Sequence, residues 1–226
     1  MAVVAFVVSC GINRPAKANG NPQLLTGILQ KMEKAHMDLK SLKAAITQHK
    51  VNVQINIKDT DLGTLIYKPS AGSDKGKVRI DYTKPDNRTV AVVGNSFVFY
   101  QPRINQVVKT TLQQASKNKT GYTSIIGLDG SVKNLTRNYN IEYVGEENIN
   151  GEATTQLQLT PKNGGSLQSV AIWVSNRSWL PVQQKFVEKN GDYTIVKLTN
   201  LEPNVKLSDE AFVVKYPSGT VVVDKI

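Results

Sequence analysis

The sequence predicts an α+β protein that is mainly β: a large antiparallel sheet with one N-terminal helix and one interrupted helical insertion. Three observations lead there. Apolar residues recur at period two through most of the 226 residues, as they do when alternate side chains of a strand face a core. Short turn signals separate these runs, and strands joined by short turns are antiparallel. Period 3.6 is clear only near the N-terminus, where residues 21–40 carry Leu24, Leu25, Ile28, Leu29, Met32, Ala35, His36 and Leu39 on one side. Asn21-Pro22 suits that helix start, since proline is tolerated in the first turn.

The strand reading proceeds in order. Ala45 to Ile57 reads as one long strand; Gly63–Tyr67, Lys77–Tyr82, Thr89–Val93 and Ser96–Tyr100 follow. In the last of these Phe97, Val98, Phe99 and Tyr100 are consecutive, so both faces of that strand are bulky. Either Phe97 and Phe99 face inward, or Val98 and Tyr100 do. A further extended piece runs from Arg103 to Thr111. Between 112 and 138 the pattern breaks, and Ile125, Ile126, Leu128, Val132 and Leu135 fit one side of a short helical stretch. Strands resume at Tyr139–Val144, Ala153–Thr160, Leu167–Ser175, Val182–Glu188 and Tyr193–Leu198, with a last one near Phe212–Lys215. Asn190-Gly191 signals a hairpin whose two turn positions both take positive φ. Glu146-Glu147 reads as part of a solvated Gly-Glu-Glu-Asn turn. A sheet of this size tends to curl, which puts the helical elements in its concavity.

Length and the absence of a low-complexity linker favour one domain, residues 19–226, behind a signal-like segment, residues 1–18. That segment, MAVVAFVVSC onward, is too short to span a bilayer and resembles a secretory h-region without its positive n-region. Two processing signals compete within it. Val7-Val8-Ser9-Cys10 looks like a lipobox that would lipidate Cys10, and Ala16-Lys17-Ala18 fits ordinary signal peptidase. Cys10 is the single cysteine, so the fold contains no internal disulfide.

The net charge of +10 suits an anionic partner, but no dense basic block or aromatic-basic platform points to nucleic acid. His36 and His49 are the two histidines and lack H-x-x-x-H or H-E-x-x-H spacing, a poor basis for a metal site. The chain has no G-x-S-x-G elbow, phosphate loop or dinucleotide fingerprint. No cofactor, metal or enzymatic activity is expected.

At residues 63–112 the order GTLIYKP, KVRIDY, TKPDN, VVGNS, FVFYQP resembles the LolA/LolB lipoprotein-carrier family of the bacterial envelope. LQLTPK, SLQSVAIWVS, NGDYTIVKLTNLEPN and DEAFVVKYPSGTVVVD resemble its second half, and ILQKMEKAHMDLKSLKAAITQ its first helix and strand. The resemblance implies an incomplete barrel lidded by helices over an apolar cavity. It implies a non-enzymatic periplasmic carrier of lipoprotein acyl chains, a monomer working between an inner-membrane release complex and an outer-membrane acceptor. A membrane-tethered acceptor or sensor of the same fold, anchored through Cys10, is the alternative. Lys68 before Pro69 matches the family's basic position, where the best-known carriers have Arg. The family's aromatic contact to the inner-membrane partner falls near Ile80. On this reading Leu24, Ile28, Met32, Ile125, Ile126 and Leu128 belong to the lid, and Ile80, Tyr82, Phe97 and Phe99 to the sheet's inner face. Ordinary helix-on-sheet packing would use the same residue types.

Overall fold

The computed structural model describes residues 22–70, 76–117 and 131–224. The signal-like segment, Cys10 and the three predicted lid residues Ile125, Ile126 and Leu128 lie outside the described residues. The chain opens with helix α1 (Pro22–Asp38), then β1 (Leu42–Asn52), β2 (Ile57–Lys68), β3 (Lys77–Lys84), β4 (Arg88–Val93), β5 (Ser96–Gln101) and β6 (Gln106–Thr111). Helices α2 (Leu112–Lys117) and α3 (Val132–Asn138) precede β7 (Tyr139–Ile149), β8 (Glu152–Pro161), β9 (Leu167–Ser175), β10 (Pro181–Glu188) and β11 (Tyr193–Pro203). A short β12 (Val221–Val223) follows.

Among the described residues these strands form one twelve-stranded sheet in the order β12-β6-β5-β4-β3-β2-β1-β11-β10-β9-β8-β7. Every ladder is antiparallel except β12 on β6. The outer strands β12 and β7 do not pair with each other, so the sheet is unclosed. One face carries a contiguous core built from Ala44, Ile46, Leu65, Ile80, Phe97, Leu157, Ile172, Val196 and their neighbours, with Ile28 and Met32 of α1 laid on it.

Several expectations need correction. The predicted long strand Ala45–Ile57 is the hairpin of β1 and β2, turning at Val53–Asn56. The apolar alternation Val51, Val53, Ile55, Ile57 runs straight through the turn, yet the last three are 48–65% exposed. Asparagines make the turn: Ile55 N–H donates to Asn52 Oδ1 at 3.2 Å, and Asn56 takes φ 52. The extended piece from Arg103 begins instead as a 3₁₀ turn, Pro102–Ile104, closed by Asn105 in the left-handed region. At Asn190-Gly191 only Gly191 has positive φ; Asn190 uses its side chain, accepting from Asp192 N–H at 3.1 Å. Glu146 and Glu147 lie within β7, past a bulge at Tyr143–Gly145, and not in a loop. The final strand is Val221–Val223; Asp209–Phe212 is a 3₁₀ turn, and residues 213–217 cross the sheet's other face without strand pairing.

Gly63 shows how tightly β2 and β3 approach. A Cβ there would lie 2.3 Å from Asp81 O and 2.9 Å from Tyr82 Cα, both backbone atoms. Gly63→Val therefore costs ~1–3 kcal/mol or unpairs β2 from β3, read as a lower denaturation midpoint with an unchanged slope if pairing survives. Phe97, fully buried, should cost ~3–5 kcal/mol on truncation to Ala, measured the same way.

Candidate functional site

The strand register fixes which side chains face α1. Ile80 is paired with Leu65 and Val90, Phe99 with Val90 and Val108, and Phe97 with Val92 and Thr110. Ile80, Tyr82, Phe97 and Phe99 are 9% exposed or less and belong to the same buried cluster as Ile28 and Met32. This resolves the register of β5, with Phe97 and Phe99 inward and Val98 and Tyr100 outward. Six predicted lining residues thus meet on one apolar face. Leu24, one turn before Ile28, is 45% exposed and stands apart from them.

The cover over this face is held differently from the face itself. Among the described residues no backbone hydrogen bond joins α1 to the sheet. Its polar ties are side-chain contacts: Glu33 Oε2 accepts from Val132 N–H of α3 at 2.8 Å, and Lys31 Nζ sits 4.3 Å above the Trp179 ring. Beneath the helix lies a pocket of about 40 Å³, lined by Met32, His36, Leu65, Leu198 and the Trp179-Leu180 loop. Such a space holds a water or two, far below the ~300 Å³ at which ligand pockets begin.

The apolar wall ends where β1 turns towards its hairpin. Inward positions Ala44 and Ile46 give way to Gln48 and Lys50. Tyr82 Oη donates to Gln48 Oε1 at 2.6 Å, both residues buried. Asp61, buried beside them, meets Lys50 Nζ at 3.3 Å and the Arg88 guanidinium, which also lies 5.4 Å from the Tyr82 ring. Sequence reasoning overlooked this cluster. Its signal was present in the inward parity of Gln48 and Lys50, which breaks the apolar alternation.

His36 borders the pocket, whereas His49 Nδ1 pairs with Thr60 Oγ1 at 2.9 Å on the opposite face, so the two histidines share no site. Among the described residues no group of three His, Cys, Asp or Glu side chains is placed to hold a metal. No described helix is long and apolar enough to cross a membrane.

Lys68 lies on the face opposite α1. Its Nζ is 3.0 Å from Asp209 Oδ1, and Lys77 Nζ is 2.8 Å from Oδ2 of the same carboxylate. Arg79 Nη1 donates to the carbonyls of Ala211 (3.1 Å) and Val213 (2.9 Å). Between these anchors Phe212 is buried, and Tyr216 lies 5.9 Å from Tyr100, ring to ring. Residues 209–217 therefore form a strap across the outer face of β3–β6, which is why Val98 and Tyr100 are large as well as Phe97 and Phe99.

The fold is thus an unclosed, almost wholly antiparallel sheet with a helix laid on one apolar face. Residues 37–215 match the family described as "Outer membrane lipoprotein carrier protein LolA", and the chain belongs to that family, a family of carriers and not of enzymes. It is 25% identical over 229 residues to an outer-membrane lipoprotein carrier protein of Cupriavidus taiwanensis, covering 99% of this chain and 96% of that one. A second protein of that description, from Helicobacter hepaticus, is 24% identical over 171 residues, covering 76% and 79% respectively. In fold the chain is similar to an uncharacterized conserved protein from Thermus thermophilus, with TM-score 0.58 at 13% identity, covering 90% of this chain and 100% of that one.

The strap supplies a pH test. Hydrogen bonds from Lys77 and then Lys68 hold the exposed Asp209 carboxyl below its ordinary range. A depressed folded pKa stabilises above the ordinary carboxylate range and is lost as pH falls through the depressed value. NMR of Phe212 should show the strap loosening on acidification below the usual carboxylate range. Asp209→Asn should remove that pH step while leaving the strap looser at neutral pH.

Proposed function

We propose that this protein shields the acyl chains of lipoproteins against its apolar concave face and ferries them through the periplasm towards the outer membrane. The observation that supports the reading is the contrast in attachment: the face belongs to a continuous ladder of strands, while among the described residues no backbone hydrogen bond joins its cover, α1, to the sheet. Loading then means lifting α1 and laying chain where Ile28 and Met32 lay. Re-exposing those two side chains costs ~3–6 kcal/mol at ~1.5–3 each. A sixteen-carbon chain brings ~12 kcal/mol gross, at ~0.8 per CH₂, so a chain of that length displaces the helix and a short one does not. Release is the reverse exchange, α1 returning to the face as the chain leaves. Export to the periplasm, a release complex at the inner membrane and an acceptor at the outer membrane follow from the same reading, with the carrier acting as a monomer. The lipobox-like Val7-Val8-Ser9-Cys10 favours, as a second reading, a protein anchored through Cys10 that receives such chains.

Native mass spectrometry of protein purified from a bacterial envelope tests this. Acylated protein or lipid should co-purify. Phe99→Glu, checked for native circular dichroism, should abolish the adduct because it puts a charge on the sheet face that the chain would cover. A clean apo mass together with no uptake of a fluorescent fatty acid would sink the carrier reading. A lipidated Cys10 in the same spectrum would decide for the anchored form.

A further inference from the structure

The five residues joining β9 to β10 carry a conformation that their sequence does not choose. Trp179 has φ 56, the left-handed region that bulky residues avoid. The surrounding bonds hold it there. Ser175, fully buried, accepts at Oγ from the N–H groups of Arg177 (3.2 Å) and Ser178 (3.1 Å) and donates to the Glu152 carboxylate. Trp179 N–H donates to Ser175 O at 2.9 Å, Asn176 N–H to Ala153 O at 2.9 Å, and Thr155 Oγ1 to Asn176 Oδ1 at 2.7 Å. Turn and strand β8 are thus tied together, and the indole is pushed across to α1, under Lys31. Strain retained by so many bonds marks a functional position more often than an accident.

Trp179 and Leu180 have space on both sides. Inward is the 40 Å³ pocket that reaches Met32 of α1 and Leu65 and Leu198 of the apolar sheet face. Outward is a surface groove of about 430 Å³ between the same loop and the helix. Leu39, Trp179 and Leu180 line both. The groove adds apolar Ala35 and Pro203 and polar Ser178 and Asn204, and its helix rim carries Lys31, Lys34 and Asp38. Lys34 is engaged with Asp38 at 3.0 Å, whereas the Lys31 ammonium lies over the indole.

From this we infer that the Trp179-Leu180 turn, with Lys31, is the portal through which an acyl chain passes from the surface to the concave face. The inference rests on the carrier reading and names the place where its cargo enters. The chain lies along the indole and Leu180, its polar or anionic end facing Lys31, and the indole swings off α1 as the helix lifts. Groove and pocket lie on either side of Leu39, Trp179 and Leu180, so displacement of that turn joins them into a path, and the Lys31 ammonium at the rim selects an amphiphile over a plain hydrocarbon.

The chain has two tryptophans, which makes the test direct. Trp173 is on the opposite face of the sheet, its Nε1–H donating to Glu147 Oε2 at 2.7 Å. Stearic acid substituted with bromine, a contact quencher of indole emission, is titrated into Trp173→Phe and Trp179→Phe proteins, while equilibrium dialysis of radiolabelled stearate measures total binding. The first variant, which reports Trp179, should lose most of its emission; the second should keep it. Lys31→Glu should slow uptake about tenfold, as reversal of a steering charge does. Stearate that binds without quenching Trp179, or that quenches both residues equally, overturns the portal and leaves the carrier intact. Failure to bind stearate or a diacylated lipopeptide overturns both.

Discussion

The pairing of β1 on both sides is the constraint on which the rest of the molecule depends. One edge of β1 pairs with β2, the next strand in the chain, over eleven residues. The other edge pairs with β11, from Leu42 with Pro203 to Val51 with Tyr193, partners far apart in the chain. That second ladder joins the N-terminal meander and the C-terminal meander into a single surface. Without it the two halves would be separate sheets, neither wide enough to wrap a helix, and the apolar face would have no continuous wall. Contacts of such sequence separation are slow to form because loop closure comes before any gain from pairing, so this ladder is also the natural late step in folding.

A sheet joined this way has two faces with opposite tasks. The inner one is apolar from Leu65 to Leu157 and ends at a buried polar cluster of Gln48, Lys50, Asp61, Tyr82 and Arg88. The outer one, over β3–β6, is fastened by a strap pinned through Asp209 and Arg79. With the strap on one face, the proposed exchange of cover falls to the other. Lys68, a basic residue singled out by resemblance, belongs to the fastened side; its contact with Asp209 is structural in this arrangement.

The architecture was legible in the sequence to the extent that physical patterns were local. Period-two runs and their turn residues marked most of the strands to within a few residues, and the 3.6-period stripe placed Ile28 and Met32 on the helix's buried side. The errors share a cause: short-range pattern without knowledge of what lies opposite. Val53, Ile55 and Ile57 alternate like a core strand, but nothing covers them. Phe212 to Lys215 looks like a strand, but its backbone crosses the sheet instead of joining it. Phe97-Val98-Phe99-Tyr100 was ambiguous in register for the same reason, since the outer cover comes from over a hundred residues downstream. Trp179 could not have been found at all, because its importance lies in a φ angle and in two spaces that only the fold brings together.

The way α1 is held changes what affinity means for this protein. The helix is in effect a resident ligand of the sheet, present at an effective concentration fixed by the short stretch from Asp38 to Leu42. On the function proposed above, cargo binding is a substitution reaction, and the measured constant is a difference between two apolar occupants, not the worth of either. Substitutions on the buried stripe of α1 would shift that difference while leaving the strand ladders untouched. Selection can therefore retune how readily such a molecule accepts and surrenders its load without putting the fold itself at risk.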